Sequence, residues 1–167
     1  MSVLPIKIYG SEVLKEKAEI VEGLDDEVRR LIRDLRDSLY YHQGAGLAAN
    51  QVGIPRQVFV VDQGKGLIVC INPRIVAVEG KVGGEEGCLS LPGIFVDIER
   101  AASLQLEYRD ENWEPRKLEA EGQLARIIQH ETDHLAGVVI ADRAGFVTRK
   151  MIGGKLRKLQ KRVEESL

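Results

Sequence analysis

The sequence has few of the residues that mark specialised classes of protein. It contains two cysteines, Cys70 and Cys88, and aromatic residues make up 5% of its 167 positions. Two cysteines are too few for the disulfide framework of a small secreted domain, and we expect two free thiols. No run approaches the roughly eighteen apolar residues of a membrane span, and residues 1–10 lack the pattern of a signal peptide. These absences predict a cytoplasmic protein with no membrane partner.

Charge of one sign is also lacking. The formal net charge is −2, which gives no reason to expect a sequence-specific nucleic-acid partner. Hydrophobic residues at 44% and charged residues at 30% are ordinary for a folded protein and argue against disorder. Because no repeat, linker or low-complexity tract interrupts the chain, we predict a single domain over residues 1–167.

The periodicity of apolar residues predicts helices at both ends of a β-rich middle. Residues 24–39 show helical spacing, with Asp25 or Asp26 as the candidate N-cap and Gly44 beyond the end. From Gln57 onward, β-branched runs are separated by glycines. The predicted strands are 58–61, 67–71, 75–78, 94–98, 104–108 and 117–120. A helix, several strands and a second helix predict an α+β fold with mainly antiparallel pairing.

The second predicted helix contains an H-E-x-x-H motif. Residues four apart share one face of a helix, so His130 and His134 could bind one metal ion. Glu131 would lie beside that ion as a general base. The alternative is a pair of ordinary surface histidines. The chain has three histidines in all and two fall in this spacing, so we favour a metal site.

A catalytic metal site needs a third protein ligand and an open position for water. In metzincins the third ligand would stand where this chain has Ile140. In thermolysin-like enzymes a carboxylate would follow where Gly153 and Gly154 stand. His42 lies at the end of the first predicted helix, and the remaining candidate is Cys88. A thiolate with two imidazoles suits zinc or ferrous iron, with cobalt or nickel as substitutes.

A glycine-rich stretch covers residues 44–53. It lacks the Gly-Lys-Ser/Thr ending of a phosphate-binding loop, so that interpretation is weak. Two others stay open. The segment could lie against a substrate backbone, with Gln51 supplying an amide, or it could be a loop that packs closely against a neighbour.

Three segments together resemble a known family. GAGLAANQ at residues 44–51, EGCLS at 86–90 and QHETDH at 129–134 resemble, in this order, the three signature motifs of bacterial-type peptide deformylases. The resemblance covers residues 4–143. It implies an α+β fold with antiparallel sheets around a central helix that carries the histidine pair. The implied reaction removes the N-formyl group from the N-terminal formylmethionine of newly made polypeptides and releases formate.

The resemblance also implies a ligand set and a base. Cys88, His130 and His134 would bind one divalent metal, natively Fe²⁺ in this family, with Zn²⁺, Ni²⁺ or Co²⁺ possible in purified protein. Water would fill the fourth position and attack the formyl carbon. Glu131 would take the proton of that water and deliver it to the leaving amine.

Five further positions match residues with a role in the family. The backbone N–H of Leu89 and the side-chain amide of Gln51 would stabilise the developing oxyanion. Gly46 would hydrogen-bond the backbone of the substrate. Glu86 and Ile127 lie where the family lines its methionine pocket.

Some positions depart from the family pattern without touching a predicted ligand. Ala45 replaces a β-branched residue, Gly84 stands where an aliphatic residue is common, and Arg126 lies near the pocket. These departures leave the selectivity of the pocket open. A further expectation is that Asp133 orients its surroundings through Arg100.

Two alternatives concern the whole chain. Residues 150–167 form a predicted basic helix, which is either a docked terminal helix with a solvated face or, as the resemblance implies, an arm that contacts the ribosome. The H-E-x-x-H motif alone would also fit a zinc endopeptidase. A structural metal site without catalysis ranks last, because such sites usually have four protein ligands.

Overall fold

The computed structural model describes residues 2–167 and has the α+β fold that the sequence predicts. Its α-helices are α1, Asp26–Tyr41, α2, Gly122–Leu135, and α3, Phe146–Ser166. Of the two predicted candidates Asp25 is the N-cap of α1, because its carboxylate accepts a hydrogen bond from the backbone N–H of Val28 at 2.9 Å. The buried residues of α1 recur at helical spacing, so this helix packs by one stripe.

The strands form two separate antiparallel sheets. Their bounds are β1, Gly46–Ala48, β2, Val58–Val61, β3, Ile68–Glu79, β4, Val82–Glu86, β5, Val96–Arg100, β6, Ser103–Arg109, and β7, Pro115–Glu121. The larger sheet has the strand order β1-β2-β3-β6-β7, and β4 pairs with β5 in a two-stranded hairpin. Antiparallel pairing around the motif helix α2 is therefore confirmed.

Several predicted boundaries are wrong. The predicted strands 67–71 and 75–78 are one strand, β3, whose pairing with β6 shifts register between Ile71 and Arg74 and again before Ala77. Strand β4 was not predicted, because Gly83 and Gly84 lower the β propensity of its middle. The structure pairs it residue by residue with β5 all the same.

The glycine-rich stretch and the C-terminal helix also differ from prediction. Residues 44–53 are not a simple loop, since they contain β1 and a 3-10 turn, Ala49–Val52. Helix α3 begins at Phe146 rather than at residue 150 and continues through Gly153 and Gly154. Burial of neighbouring apolar side chains outweighs the low helix propensity of the two glycines.

Helix α2 lies between the large sheet and the N-terminal arm. Its apolar side chains share a buried cluster with residues of β2, β3 and β6. At its end, the backbone N–H of Ala18 donates to the carbonyl of Leu135 at 2.8 Å. Gly137 follows with a φ of +78°, and a side chain there would overlap the carbonyl of Lys15. The arm therefore covers the last turn of the motif helix.

Helix α3 packs against the β4–β5 hairpin through one apolar stripe. Ile152, Leu156 and Leu159 are buried with Val96 and Ile98 of β5. Its remaining face is exposed and rich in lysine and arginine. No helix within residues 2–167 is long and apolar enough to cross a membrane.

Candidate metal centre and active site

The predicted site residues meet at one cleft of about 410 Å³. Of these residues His134 alone lies outside the lining, buried behind Cys88. The others come from β1, the following 3-10 turn, the end of β4 with the segment after it, and α2. The predicted site residues in the cleft lining are Gly46, Gln51, Glu86, Cys88, Leu89, Ile127, His130 and Glu131.

The three predicted metal ligands converge in this structure. One ligand atom from each of Cys88, His130 and His134 lies within 4.8 Å of the other two. Cys88 Sγ is 3.3 Å from His134 Nε2. Ligands at about 2.0–2.3 Å from a tetrahedral metal lie roughly 3.5 Å apart, so these side chains fit one divalent ion. Cys88 is a free cysteine, as the thiolate ligand of such a site must be.

Glu86 fixes the orientation of the first imidazole. The His130 Nδ1–H group donates to Glu86 Oε1 at 2.9 Å, which leaves Nε2 for a metal. Burial lowers the pKa of His130. The charge of Glu131 and hydrogen bonds to Cys88 and Glu86 outweigh burial and hold this pKa well above its usual value. Burial and the charge of His130 hold the pKa of His134 well below its usual value. In the metal-free protein His134 is therefore neutral, whereas His130 would release a proton when a metal binds.

Glu131 is a buried carboxylate beside the ligands. Its Oε2 lies 3.9 Å from His130 Nε2, and its Oε1 has no hydrogen-bond partner among the described residues. Burial raises the pKa of Glu131 to about 7. A Cβ at position 46 would lie 2.7 Å from Glu131 Oε2 and 2.9 Å from Ile127. Gly46 is therefore required where β1 passes the carboxylate.

The amide of Gln51 is held in one orientation. Its Oε1 accepts the backbone N–H of Ala48 at 3.0 Å, so the amide nitrogen faces the other way. That Nε2 donates to Ser90 Oγ at 3.1 Å and lies 3.6 Å from Cys88 Sγ. A preorganised N–H donor is thus present beside the thiol, and Leu89 follows the thiol in the chain.

A buried ionic network continues behind the ligands. Arg100 makes two hydrogen bonds of 2.9 Å to Glu86 and one of 2.6 Å to Asp133, which is the expected contact between these residues. Arg143 donates twice to Asp133 at 2.8 Å. Burial raises the pKa of Glu86, but the hydrogen bonds from Arg100 and His130 lower it more, to about 2. Glu86 is therefore ionised.

Sequence reasoning missed three members of this arrangement. Ser90 positions Gln51, Arg143 holds Asp133, and Arg126 donates to Glu86 at 2.6 Å. Arg126 was predicted only to lie near the pocket. Its position four residues before His130, on the same face of α2, was the available signal.

Comparisons with known proteins agree with these features. The family described as polypeptide deformylase matches residues 3–150. A peptide deformylase from Aquifex aeolicus is 42% identical over 165 residues, which cover 95% of this chain and 98% of that relative.

Solved structures give the same result. The crystal structure of peptide deformylase from Thermus thermophilus has a TM-score of 0.90 at 38% identity, over 96% of this chain and 99% of that one. A peptide deformylase from Synechococcus elongatus, solved in complex with actinonin, has a TM-score of 0.86 at 41% identity, over 91% of this chain and 85% of that one. The chain belongs to the polypeptide deformylase family.

Proposed function

We propose that this chain is a metal-dependent peptide deformylase, which hydrolyses the N-formyl group of N-terminal formylmethionine in new polypeptides and releases formate. The observation that carries the proposal is the convergence of Cys88, His130 and His134 beside the buried carboxylate of Glu131. A zinc endopeptidase is not favoured, because the family that matches residues 3–150 is polypeptide deformylase and the similar proteins are peptide deformylases.

Cys88, His130 and His134 would hold the metal, and we propose Fe²⁺ as the native ion, with Zn²⁺, Ni²⁺ or Co²⁺ possible in purified protein. A bound divalent cation supplies Lewis acidity, which polarises a carbonyl oxygen and lowers the pKa of a water molecule. Two observations support a metal with an open position here. The described residues bring three ligands together rather than four, and two of them, Cys88 and His130, line a cleft that a substrate can enter.

Glu131 would move the proton in this reaction. In the metal-free fold burial raises the pKa of Glu131 to about 7. Burial thus favours proton uptake by this carboxylate, which would accept a proton from the attacking water and donate it to the leaving amine. The side-chain N–H of Gln51 and the backbone N–H of Leu89 would stabilise the oxyanion that develops on the formyl oxygen. The fixed orientation of the Gln51 amide supports that role, since its Nε2 already faces Cys88 at the cleft.

Three residues would bind the substrate. Gly46 lies in the short edge strand β1, where a peptide backbone can pair with it. Ile127 would contact the methionine side chain as part of the cleft wall. Both oxygens of Glu86 are already bonded to Arg100, Arg126 and His130, so Glu86 would contribute its aliphatic part.

A formate-release assay tests the reaction. Protein loaded with Fe²⁺ without oxygen, or with Ni²⁺ or Co²⁺, is expected to release formate from a formyl-Met peptide and to leave internal peptide bonds intact. Glu131→Gln is expected to retain the metal and lose about 10²–10⁴-fold in turnover. Full activity in that variant would contradict the role of Glu131, and cleavage of an unformylated peptide would favour the endopeptidase.

The remaining proposals concern the setting of the enzyme. We propose that residues 1–167 form one catalytic domain, that it works in the cytoplasm on nascent chains, and that α3 contacts the ribosome. The exposed basic face of α3 supports the last point, because ribosomal RNA is an anionic surface. The exposed basic residues of α3 are Arg149, Lys150, Lys155, Arg157, Lys158, Lys161 and Arg162.

Charge reversal tests this contact without removing the buried stripe of α3. Lys158, Lys161 and Arg162 changed together to glutamate are expected to abolish co-sedimentation with ribosomes at low salt. Three exposed lysines outside α3, Lys65, Lys81 and Lys117, changed together to glutamate are the control. Equal loss in both variants would indicate nonspecific attraction, and no loss in either would leave α3 a structural helix.

A further inference from the structure

Arg126 extends from α2 across to the β4–β5 hairpin and binds both of its strands. Its Nη1 donates to Glu86 Oε2 at 2.6 Å and to the carbonyl of Ile98 at 2.9 Å. Its Nη2 donates to the carbonyl of Val82 at 2.8 Å. Arg126 is 7% exposed, so these bonds are made away from solvent. Charged hydrogen bonds in such surroundings are short and directional.

Gly84 provides the space for this guanidinium. A Cβ at position 84 would lie 3.1 Å from Cζ of Arg126 and 3.2 Å from its Nη2. The backbone of Gly84 does not have a positive φ, so conformation alone does not require glycine there. The guanidinium of Arg126 explains why residue 84 has no side chain. The two departures from the family pattern, Gly84 and Arg126, are therefore one feature.

The hairpin forms a sheet of only two strands, and its apolar side chains Val96 and Ile98 pack with α3 rather than with α2. A two-stranded hairpin is marginally stable by itself. At the end of β5, Arg100 binds Asp133 and the Gln129 amide makes two bonds to the backbone of Ala101. Arg126 holds the other part of the hairpin, where β4 leads into Glu86.

Two groups of the metal centre depend on that part of the hairpin. Glu86 is the last residue of β4 and orients His130, and Cys88 follows after one further residue. Each oxygen of Glu86 accepts two hydrogen bonds, and Arg126 supplies one of the pair on Oε2. Loss of Arg126 would leave Arg100 in place. The consequence would therefore be a shift of the hairpin rather than loss of the Glu86 charge.

We propose that Arg126 is a positioning residue of this hydrolase: its guanidinium holds the β4–β5 hairpin against α2 and thereby sets the positions of Glu86 and Cys88 relative to His130. The proposal rests on the metal-dependent function proposed above. A lysine cannot replace Arg126 fully, because one ammonium group lacks the planar fork that reaches a carboxylate and two separate carbonyls. Gly84 is the partner that allows this arrangement.

Arg126→Met and Arg126→Lys test the proposal by three measurements. Co²⁺-loaded Arg126→Met protein is expected to show altered thiolate and ligand-field absorption bands, which report the geometry of the ligands. Its metal affinity or kcat is expected to fall about 10–100-fold, the usual effect of changing a partner of a metal ligand. In the metal-free protein, amide hydrogen exchange is expected to accelerate in β4 and β5. Arg126→Lys is expected to be intermediate in all three.

Gly84→Ala is a second way to disturb the contacts between Arg126 and the hairpin. It keeps the arginine but displaces the guanidinium, so it is expected to alter the cobalt spectrum in the same direction and more weakly. Combined with Arg126→Met it should add little, because its effect acts through Arg126. Additive losses in the double variant would overturn the proposal. Gly84→Ala and Arg126→Lys also keep the test decisive if Arg126→Met does not fold.

Arg74→Met is the matched control, since Arg74 pairs with Glu107 on the exposed face of the large sheet, 3.0 Å apart. It should leave the spectrum, the exchange rates and kcat unchanged. A raised KM in Arg126→Met with normal kcat and spectrum would make Arg126 only a wall of the pocket. A lowered Tm alone would make it only a stabilising residue, and either result overturns the proposal.

If the protein without substitutions releases no formate with any metal, the proposed function fails. The spectra and exchange rates still test the positioning role of Arg126 in that case.

Discussion

The five-stranded sheet and the β4–β5 hairpin are attached to α2 by different kinds of contact. The large sheet meets α2 through a buried apolar cluster that includes Phe59, Leu106 and Ile128. The hairpin meets α2 through hydrogen-bonded ions and amides, whereas its buried Val96 and Ile98 pack with α3. Apolar contacts carry little directional information, and charged hydrogen bonds carry much. The hairpin, which ends at Glu86 and leads to Cys88, is thus held to α2 by directional contacts.

This contrast has an energetic consequence. Ions buried in pairs gain little net stability, because desolvation offsets most of their attraction, whereas breaking such a pair is costly. Glu86, at 6% exposure, bonds to Arg100, Arg126 and His130 at once. We therefore expect changes in the hairpin network to affect both the site and stability, and changes in the sheet core to affect stability alone.

Glu86→Gln is expected to have the largest effect. It leaves the charges of Arg100 and Arg126 without their shared partner, which typically costs about 3–5 kcal/mol. It also weakens the orientation of His130, so metal affinity is expected to fall about 10–100-fold. Denaturant unfolding and metal titration measure the two effects. Glu99→Gln, on the exposed face of the same hairpin, is the control, and equal losses in both variants would contradict the importance of the network.

Leu106→Ala is expected to lower stability without changing the site. Leu106 is fully buried in the cluster under α2, and such truncations cost about 2–5 kcal/mol. The folded protein should keep its kcat and its cobalt spectrum. Val78→Ala, an exposed position of the same sheet, should be nearly neutral. A large change of kcat at temperatures where Leu106→Ala is folded would show that the sheet core also sets ligand geometry.

Two glutamates of the site are expected to make stability depend on pH in opposite directions in the metal-free protein. The pKa of Glu86 is about 2 in the fold against 4.5 ordinarily, so its contribution is present above 4.5 and lost as pH falls toward 2. The pKa of Glu131 is about 7, so its contribution is present below 4.5 and lost as pH rises through 7.

Unfolding free energies measured from pH 3 to pH 9 test these signs. Glu131→Gln should be more stable than the unchanged protein at pH 8, and the difference should shrink at low pH. Glu86→Gln should flatten the acid side of the profile. The prediction for Glu131 fails if Glu131→Gln is destabilising at pH 8.

Arg74→Ala is expected to have the smallest effect. The ion pair of Arg74 with Glu107 lies on the exposed face of the large sheet, and isolated surface pairs contribute about 0–1 kcal/mol. Its loss should shift the denaturation midpoint only slightly and leave kcat unchanged. A loss as large as that of Glu86→Gln would remove the distinction between the two sets of ion pairs.

The sequence was sufficient for features that repeat locally or occur as motifs. The helix capped by Asp25 was predicted from periodicity, and Cys88, His130 and His134 were selected as a group that the fold does bring together. Strand β4 was missed because its stability comes from pairing with β5 rather than from its own residues.

Partners far apart in the chain were the main source of error. Arg126 and Glu86 are separated by 40 positions, and no periodicity in the sequence connects them. The same holds for the backbone carbonyl of Val82, which Arg126 binds from 44 positions away. A single sequence shows which residues can form an ion pair or a hydrogen bond. It does not show which strand the fold places next to a given side chain.

The N-terminal arm that crosses the end of α2 restricts the order in which the enzyme itself can be made. Ala18 bonds to Leu135, and Lys15 lies over Gly137, so the first segment synthesised waits for one near the end. His130 and His134 also emerge long after Cys88. The cleft of this molecule can therefore be completed only after residues near Gly137 have been synthesised.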